Sequence, residues 1–259
     1  MAHDTDLQTA DMAKVGGARA PFSSGYATAL SIVALMPFAV LAAGGAGLIG
    51  VGAWLVVLMA VFVVCSPLRD GMAGHVAAVL LGAASLVFAG TDVLANALAA
   101  LGDGDAAGAA ASGVAASGVA ASDPRMSRLI AWFAGVGGLL VVLIVVSFIR
   151  QMARAERSHL IRGLSHSVLE GVAMVLAPGW LALPEYMALP DTGANDVAMI
   201  TSVVVLGALI VGLAVASRWW VAEADPDERA RAPWLGIVVL PALLAGPLLA
   251  IATVVVPLI

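Results

Sequence analysis

The sequence predicts an all-α fold, a polytopic integral membrane protein built as a bundle of about seven transmembrane helices. Three observations predict it. Hydrophobic residues fill 62% of the 259 positions and charged residues only 11%, whereas soluble domains run near a quarter charged. Mean hydropathy is +1.04, so lipid is the main solvent. Long uncharged runs recur, the first from Tyr26 to Cys65, and about 20 apolar residues suffice for one helix to cross the hydrocarbon core. Seven passes with short connections leave no room for a separate catalytic domain.

Residues 1–25 are polar and mixed in charge, without the basic start and short apolar core of a cleaved signal peptide, and read as a cytoplasmic tail. The run that follows is too long for one helix at 1.5 Å per residue. Its glycine cluster, Ala42 to Gly47, is the natural break, which predicts spans over 26–43 and 47–65. A third span covers 75–94, with a short amphipathic extension to Leu101. Residues 102–125 repeat GVAAS among small residues that cannot build a core, and read as a loose outer loop. The fourth span, 126–149, is the clearest. The fifth, 164–183, is the weakest, since it holds His166, Glu170 and Pro178. The sixth and seventh cover 197–220 and 234–259.

Charge sets the expected orientation, because Lys and Arg collect in cytoplasmic loops. With the N-terminus inside, ten of the 12 basic residues fall on that side, and only Arg125 and Arg128 fall outside. The outer loops carry Asp103, Asp105, Asp123, Glu185, Asp191 and Asp196. Trp219, Trp220 and Trp234 mark the inner boundary, and Trp132, Trp180 and Tyr186 the outer one. The expected location is a bacterial inner membrane, multi-pass, with a cytoplasmic N-terminus and an extracytoplasmic C-terminus. Arginine outnumbers lysine eleven to one, and with the Ala, Gly and Val richness this suits a GC-rich coding sequence.

Glu170 is the most informative residue, because an ionisable group inside a membrane helix costs roughly 2.5 to 3.5 kcal/mol and usually marks a function. Arg162, His166 and Glu170 are spaced by four and share one helix face. They form the candidate intramembrane polar site, with His166 the expected proton or hydrogen-bond partner of Glu170. Asp92 and Asn96 form a weaker candidate, since Asp92 also suits the cap of a short interfacial helix. His75, at the predicted start of the third span, reads as an interfacial residue. Arg150, Arg154, Arg157 and Arg162 make the segment Arg150 to Gly163 basic, suited to anionic lipid headgroups or to a membrane or cytoplasmic protein partner.

Small residues at four-residue spacing, Gly74/Ala78/Gly82, Ala134/Gly138 and Ala208/Gly212/Ala216, predict close helix packing inside the bundle, with a dimer seam as the alternative. Prolines 37, 178, 241 and 247 lie within spans, and the fifth and seventh spans form a candidate pair of interrupted helices. The single cysteine, Cys65, excludes an internal disulfide and a cysteine metal cluster. No histidine pair has metal-ligand spacing, no catalytic or cofactor motif is present, and nothing suggests nucleic acid as a partner. The expected function is therefore a permease-like protein or a non-catalytic membrane subunit of a transport or envelope complex. The alternative is a secondary transporter with a proton or cation site at Glu170 and His166.

Overall fold

A computed structural model describes residues 24–45, 47–66, 72–102, 124–153, 160–189, 194–223 and 233–258. Residues 1–23 of the predicted tail, most of the GVAAS connection, Arg154 and Arg157 lie outside these residues, while the tail's last two, Ser24 and Gly25, open the first helix. The helices are α1 Ser24–Ala43, α2 Gly47–Val64, α3 Met72–Gly90, α4 Val93–Gly102, α5 Pro124–Met152 and α6 Leu160–Leu176. A 3-10 segment, Ala177–Ala182, leads into α7 Leu183–Met187, followed by α8 Ala194–Glu223, α9 Pro233–Leu244 and α10 Gly246–Val255. No strand occurs among the described residues.

Six helical stretches are long and apolar enough to cross a membrane: Gly47–Val64, Met72–Gly90, Met126–Met152, Ser165–Met187, Val197–Ala216 and Trp234–Val255. Ahead of them, α1 carries a shorter apolar stretch, Thr28–Leu41. The α1–α2 break lies at the glycine cluster, where Gly45 and Gly47 adopt φ of 70° and 60°. That left-handed backbone carries no steric cost for glycine alone, so the chain reverses within a few residues.

The fifth and seventh spans are interrupted, the pair whose prolines suggest it. Pro178 has no N–H to give, so the carbonyls of Met174 and Val175 lose the donor that an α-helical or 3-10 continuation would supply. The helix tightens there into the 3-10 segment before resuming as α7. In the seventh span the break falls at Ala245, with Pro247 in the first turn of α10. The two breaks touch. A Cβ added to Gly179 would lie 2.4 Å from the Gly246 carbonyl carbon, and one added to Gly246 would lie 2.6 Å from the Leu176 oxygen. Backbone meets backbone, which only a glycine pair allows.

The interrupted helices form the centre. α3 and α5 pack on α6 and on each other, while α1 and α2 cover α9, and α8 lies along α9 and α1. Gly74, Ala78 and Gly82 all face inward, and a Cβ on Gly82 would press Met59 and Met174 at 2.9 and 3.1 Å. The other two stripes depart from the internal packing expected of them: Ala134, Gly138, Ala208 and Gly212 are exposed, with open space beside both glycines.

Register along these helices defines the ends of the bundle. His75 meets Glu170, Ser85 meets Val175, Trp132 meets Ser85, and Leu143 lies over Gly171. α3 and α6 therefore run in one direction and α5 in the other. The end where α3 begins and α5 finishes is the basic end, since Arg69 and Arg150 to Arg162 flank it in sequence. The opposite, acidic end holds Asp92 and Glu185.

Candidate functional site

The site is built on α6 near the basic end. Glu170 is 0% exposed, enclosed where α6 packs against α3 and α5. Its Oε1 lies 2.6 Å from Nδ1 of His75 on α3, a side chain that is 29% exposed. The second oxygen, Oε2, is buried with no hydrogen-bond partner among the described residues. Leaving an acceptor or a charge unpaired in an apolar interior is costly, so a proton on the carboxyl or another donor at Oε2 relieves the site.

A carboxyl and an imidazole at this distance share one hydrogen bond, and which group donates depends on which holds the proton. The pair is neutral with one proton between them, whichever group holds it, positive with two and negative with none.

The row Arg162, His166, Glu170 lies along α6 as its spacing requires, but the partner that Oε1 meets is on α3. His166 is half-buried one turn below Glu170, and Arg162 stands in the first turn of α6. The hydropathy pattern starts the third span at His75 itself, which leaves the residue interfacial. Three further residues from Met72 carry His75 into the bundle. The predicted orientation offers a partial signal: the third and fifth spans run parallel, and both residues lie toward the same end.

Asp92 and Asn96 do not join this site. Asp92 directly precedes α4, and its carbonyl accepts from the Asn96 backbone N–H at 2.9 Å, as a helix start requires. Its carboxylate is 61% exposed and lies 3.8 Å from Nη1 of Arg128. Arg128 also donates through Nη2 to Glu185 Oε1 on α7, so α5 is clamped to the resumed helix at the acidic end. Arg150 closes α5 at the basic end and is half-buried.

Between the two ends, indole groups meet the interrupted helices. Ser85 donates to the Val175 carbonyl at 2.6 Å, one of the two that Pro178 deprives, and accepts from Trp132 Nε1 at 3.0 Å. Trp180 Nε1 donates to Ala242 O at 2.7 Å in the last turn of α9, and its ring stacks on Phe38 at 4.2 Å. Trp54 Nε1 donates to Ala34 O at 3.3 Å, one turn before Pro37. Backbone irregularity inside an apolar bundle persists only where such partners satisfy it.

Comparisons with protein families, curated proteins and solved structures each give no match. Among the described residues, no group of three or more His, Cys, Asp or Glu side chains is placed to hold a metal ion.

Proposed function

We propose that the chain is a permease-like membrane transport protein, a secondary transporter in which the His75–Glu170 pair carries an exchangeable proton. The supporting observation is a fully buried glutamate paired with a histidine about 10 Å along α6 from the contact between two interrupted helices. Interrupted helices that meet inside a bundle are a recurring basis for transporter sites, and a buried ionisable residue beside them supplies the coupling charge. His75 takes the role expected of His166.

In this reading α1 is a seventh span, since its 20 residues reach about 30 Å. The basic end faces the cytoplasm by the positive-inside rule, which puts the N-terminus inside and the C-terminus outside. The charged segment Arg150 to Gly163 then lies at the cytoplasmic headgroups. The protein carries out no covalent chemistry of its own. A second reading, a non-catalytic subunit of a membrane complex, draws on the outward small-residue stripes of α5 and α8.

The test is reconstitution in liposomes containing a pH-sensitive dye, challenged with a panel of anionic, cationic and zwitterionic solutes. One class should move the internal pH in wild type, and Glu170→Gln should fold normally yet lose that proton movement. Proton-coupled uptake unchanged in Glu170→Gln would overturn the proposal. A stoichiometric partner copurifying in mild detergent, with full cellular function in Glu170→Gln, would favour the subunit reading.

A further inference from the structure

The buried face of α5 changes character along its length. Toward the acidic end it presents Trp132, Val136 and Leu143, and in its last two turns it presents Ser147 and Gln151, buried to 3% and 5% exposure. α6 mirrors this change, with Ser167 and Glu170 buried first and Ala173, Met174 and Val175 after them. Because Leu143 lies over Gly171 and the helices are antiparallel, Ser147 and Ser167 fall one turn nearer the basic end, and Gln151 about one turn beyond.

Two acceptor atoms on this track have no hydrogen-bond partner among the described residues: Oε2 of Glu170 and Oε1 of Gln151. They are about 10 Å apart along the helix axis by rise, too far for direct contact. Each needs a donor, and the serine hydroxyls lie at the level between them. Water suits such a place, since a buried water bonds two to four polar groups and can link acceptors in series.

Past Glu170 the track stops. The next buried layers are apolar, and the Ser85 hydroxyl beyond them is already engaged with Val175 and Trp132. We infer that a file of water molecules enters from the basic end between α5 and α6, along Gln151, Ser147 and Ser167, and gives Glu170 proton exchange with that side alone. The file's use rests on the proton-carrier reading of Glu170; its existence does not.

Silver ion, close to water in size and reactive with thiols, tests the file without any transport assay. In a Cys65→Ala background, Ser147→Cys, Ser167→Cys and Val136→Cys are prepared in sealed vesicles of both orientations. Silver is added outside, and unreacted thiol is counted by mass spectrometry after unfolding. Ser147→Cys and Ser167→Cys should react at least about tenfold faster from the basic side than from the other, and at least about tenfold faster than Val136→Cys. Adding Gln151→Leu should slow Ser147→Cys about tenfold by closing the entry with an apolar side chain. Equal rates at the three positions, faster reaction from the acidic side, or no effect of Gln151→Leu would overturn the inference. A dry track with Glu170-dependent proton movement intact would overturn the file and leave the proposed function. A wet track with proton movement unchanged in Glu170→Gln would do the reverse.

Discussion

Over 18 residues within Ser165–Met187, and likewise within Trp234–Val255, 72% are buried, whereas over 18 residues within Val197–Ala216 on α8 only 6% are. All three are apolar enough to cross a membrane and long enough to do so. The central pair departs from helical regularity, with a 3-10 segment, two proline-marked breaks and a glycine-on-glycine contact. α8 runs 30 residues without interruption. The difference shows where irregular backbone is tolerated: only inside protein, where neighbouring helices can satisfy the carbonyls that proline leaves without a donor. At the rim no neighbouring helix offers a donor, and the helix must satisfy itself.

The sharpest way to break this comparison is a single methyl group. Gly179→Ala drives a Cβ into the backbone of Gly246, where no flexible side chain can give way. Overpacking of this kind should cost more than ~3 kcal/mol, the upper part of its usual range. We expect little folded protein after detergent extraction, measured by size-exclusion chromatography and thermal melting. The same change at Gly207 or Gly212 meets nothing within 4 Å and should leave the melting temperature level or slightly raised.

The His75–Glu170 pair comes next. His75→Leu leaves a buried carboxyl with neither oxygen bonded to the histidine, and breaking a buried pair from one side costs about 3 to 5 kcal/mol. The orphaned group can take a proton and soften the loss, so ~2 to 3 kcal/mol is expected. The double change His75→Leu/Glu170→Leu should recover most of it, because no polar group is then stranded. A double mutant no more stable than His75→Leu would show that the pair is not coupled.

These positions also show what the sequence could carry. Glu170 was legible as a charge within an apolar run, and the α1–α2 break was legible in its glycines. Pro178 and Pro247 marked the interrupted helices, with APG at 177–179 and AGP at 245–247. That the two breaks touch was not legible, because contact between residues 67 positions apart is decided by how whole helices pack. The same limit hid His75, which is 95 residues from its partner. Nor could composition separate centre from rim. In water the buried helix face is the apolar one, but in lipid the outer face is as apolar as the inner, so the small-residue stripes of α3 and α8 look alike in sequence and face opposite ways.

A smaller effect tests how the centre tolerates its break. Ser85→Ala removes the donor to the Val175 carbonyl and the acceptor for Trp132 Nε1. Interhelical hydrogen bonds in membranes are worth about 0.6 to 2 kcal/mol, so a loss of ~1 to 2 kcal/mol is expected in thermal unfolding. Trp132→Phe should lose less, since it strands no carbonyl.

The smallest expected effect falls on α8 and carries the comparison to its limit. Gly212 lies on an outward face with open space beside it, and Val204 on the same helix is 65% exposed. If lipid alone covers this face, Gly212→Leu replaces acyl-chain contacts with side-chain contacts of similar character and removes a weak helix former. Glycine is about 0.8 to 1.0 kcal/mol less favourable than alanine in a helix interior, so stability should stay level or rise by a few tenths of a kcal/mol. If instead a second copy or another helix packs against the stripe, leucine would hold the two backbones apart and remove the close contact on which such seams depend. The measurement is the mass of the detergent-solubilised particle by light scattering, for wild type and Gly212→Leu at matched concentration. We expect the same mass for both. A smaller particle in the variant would show that α8 packs by the same close-contact rule as the centre, and its 6% burial would then describe the single chain rather than the assembly.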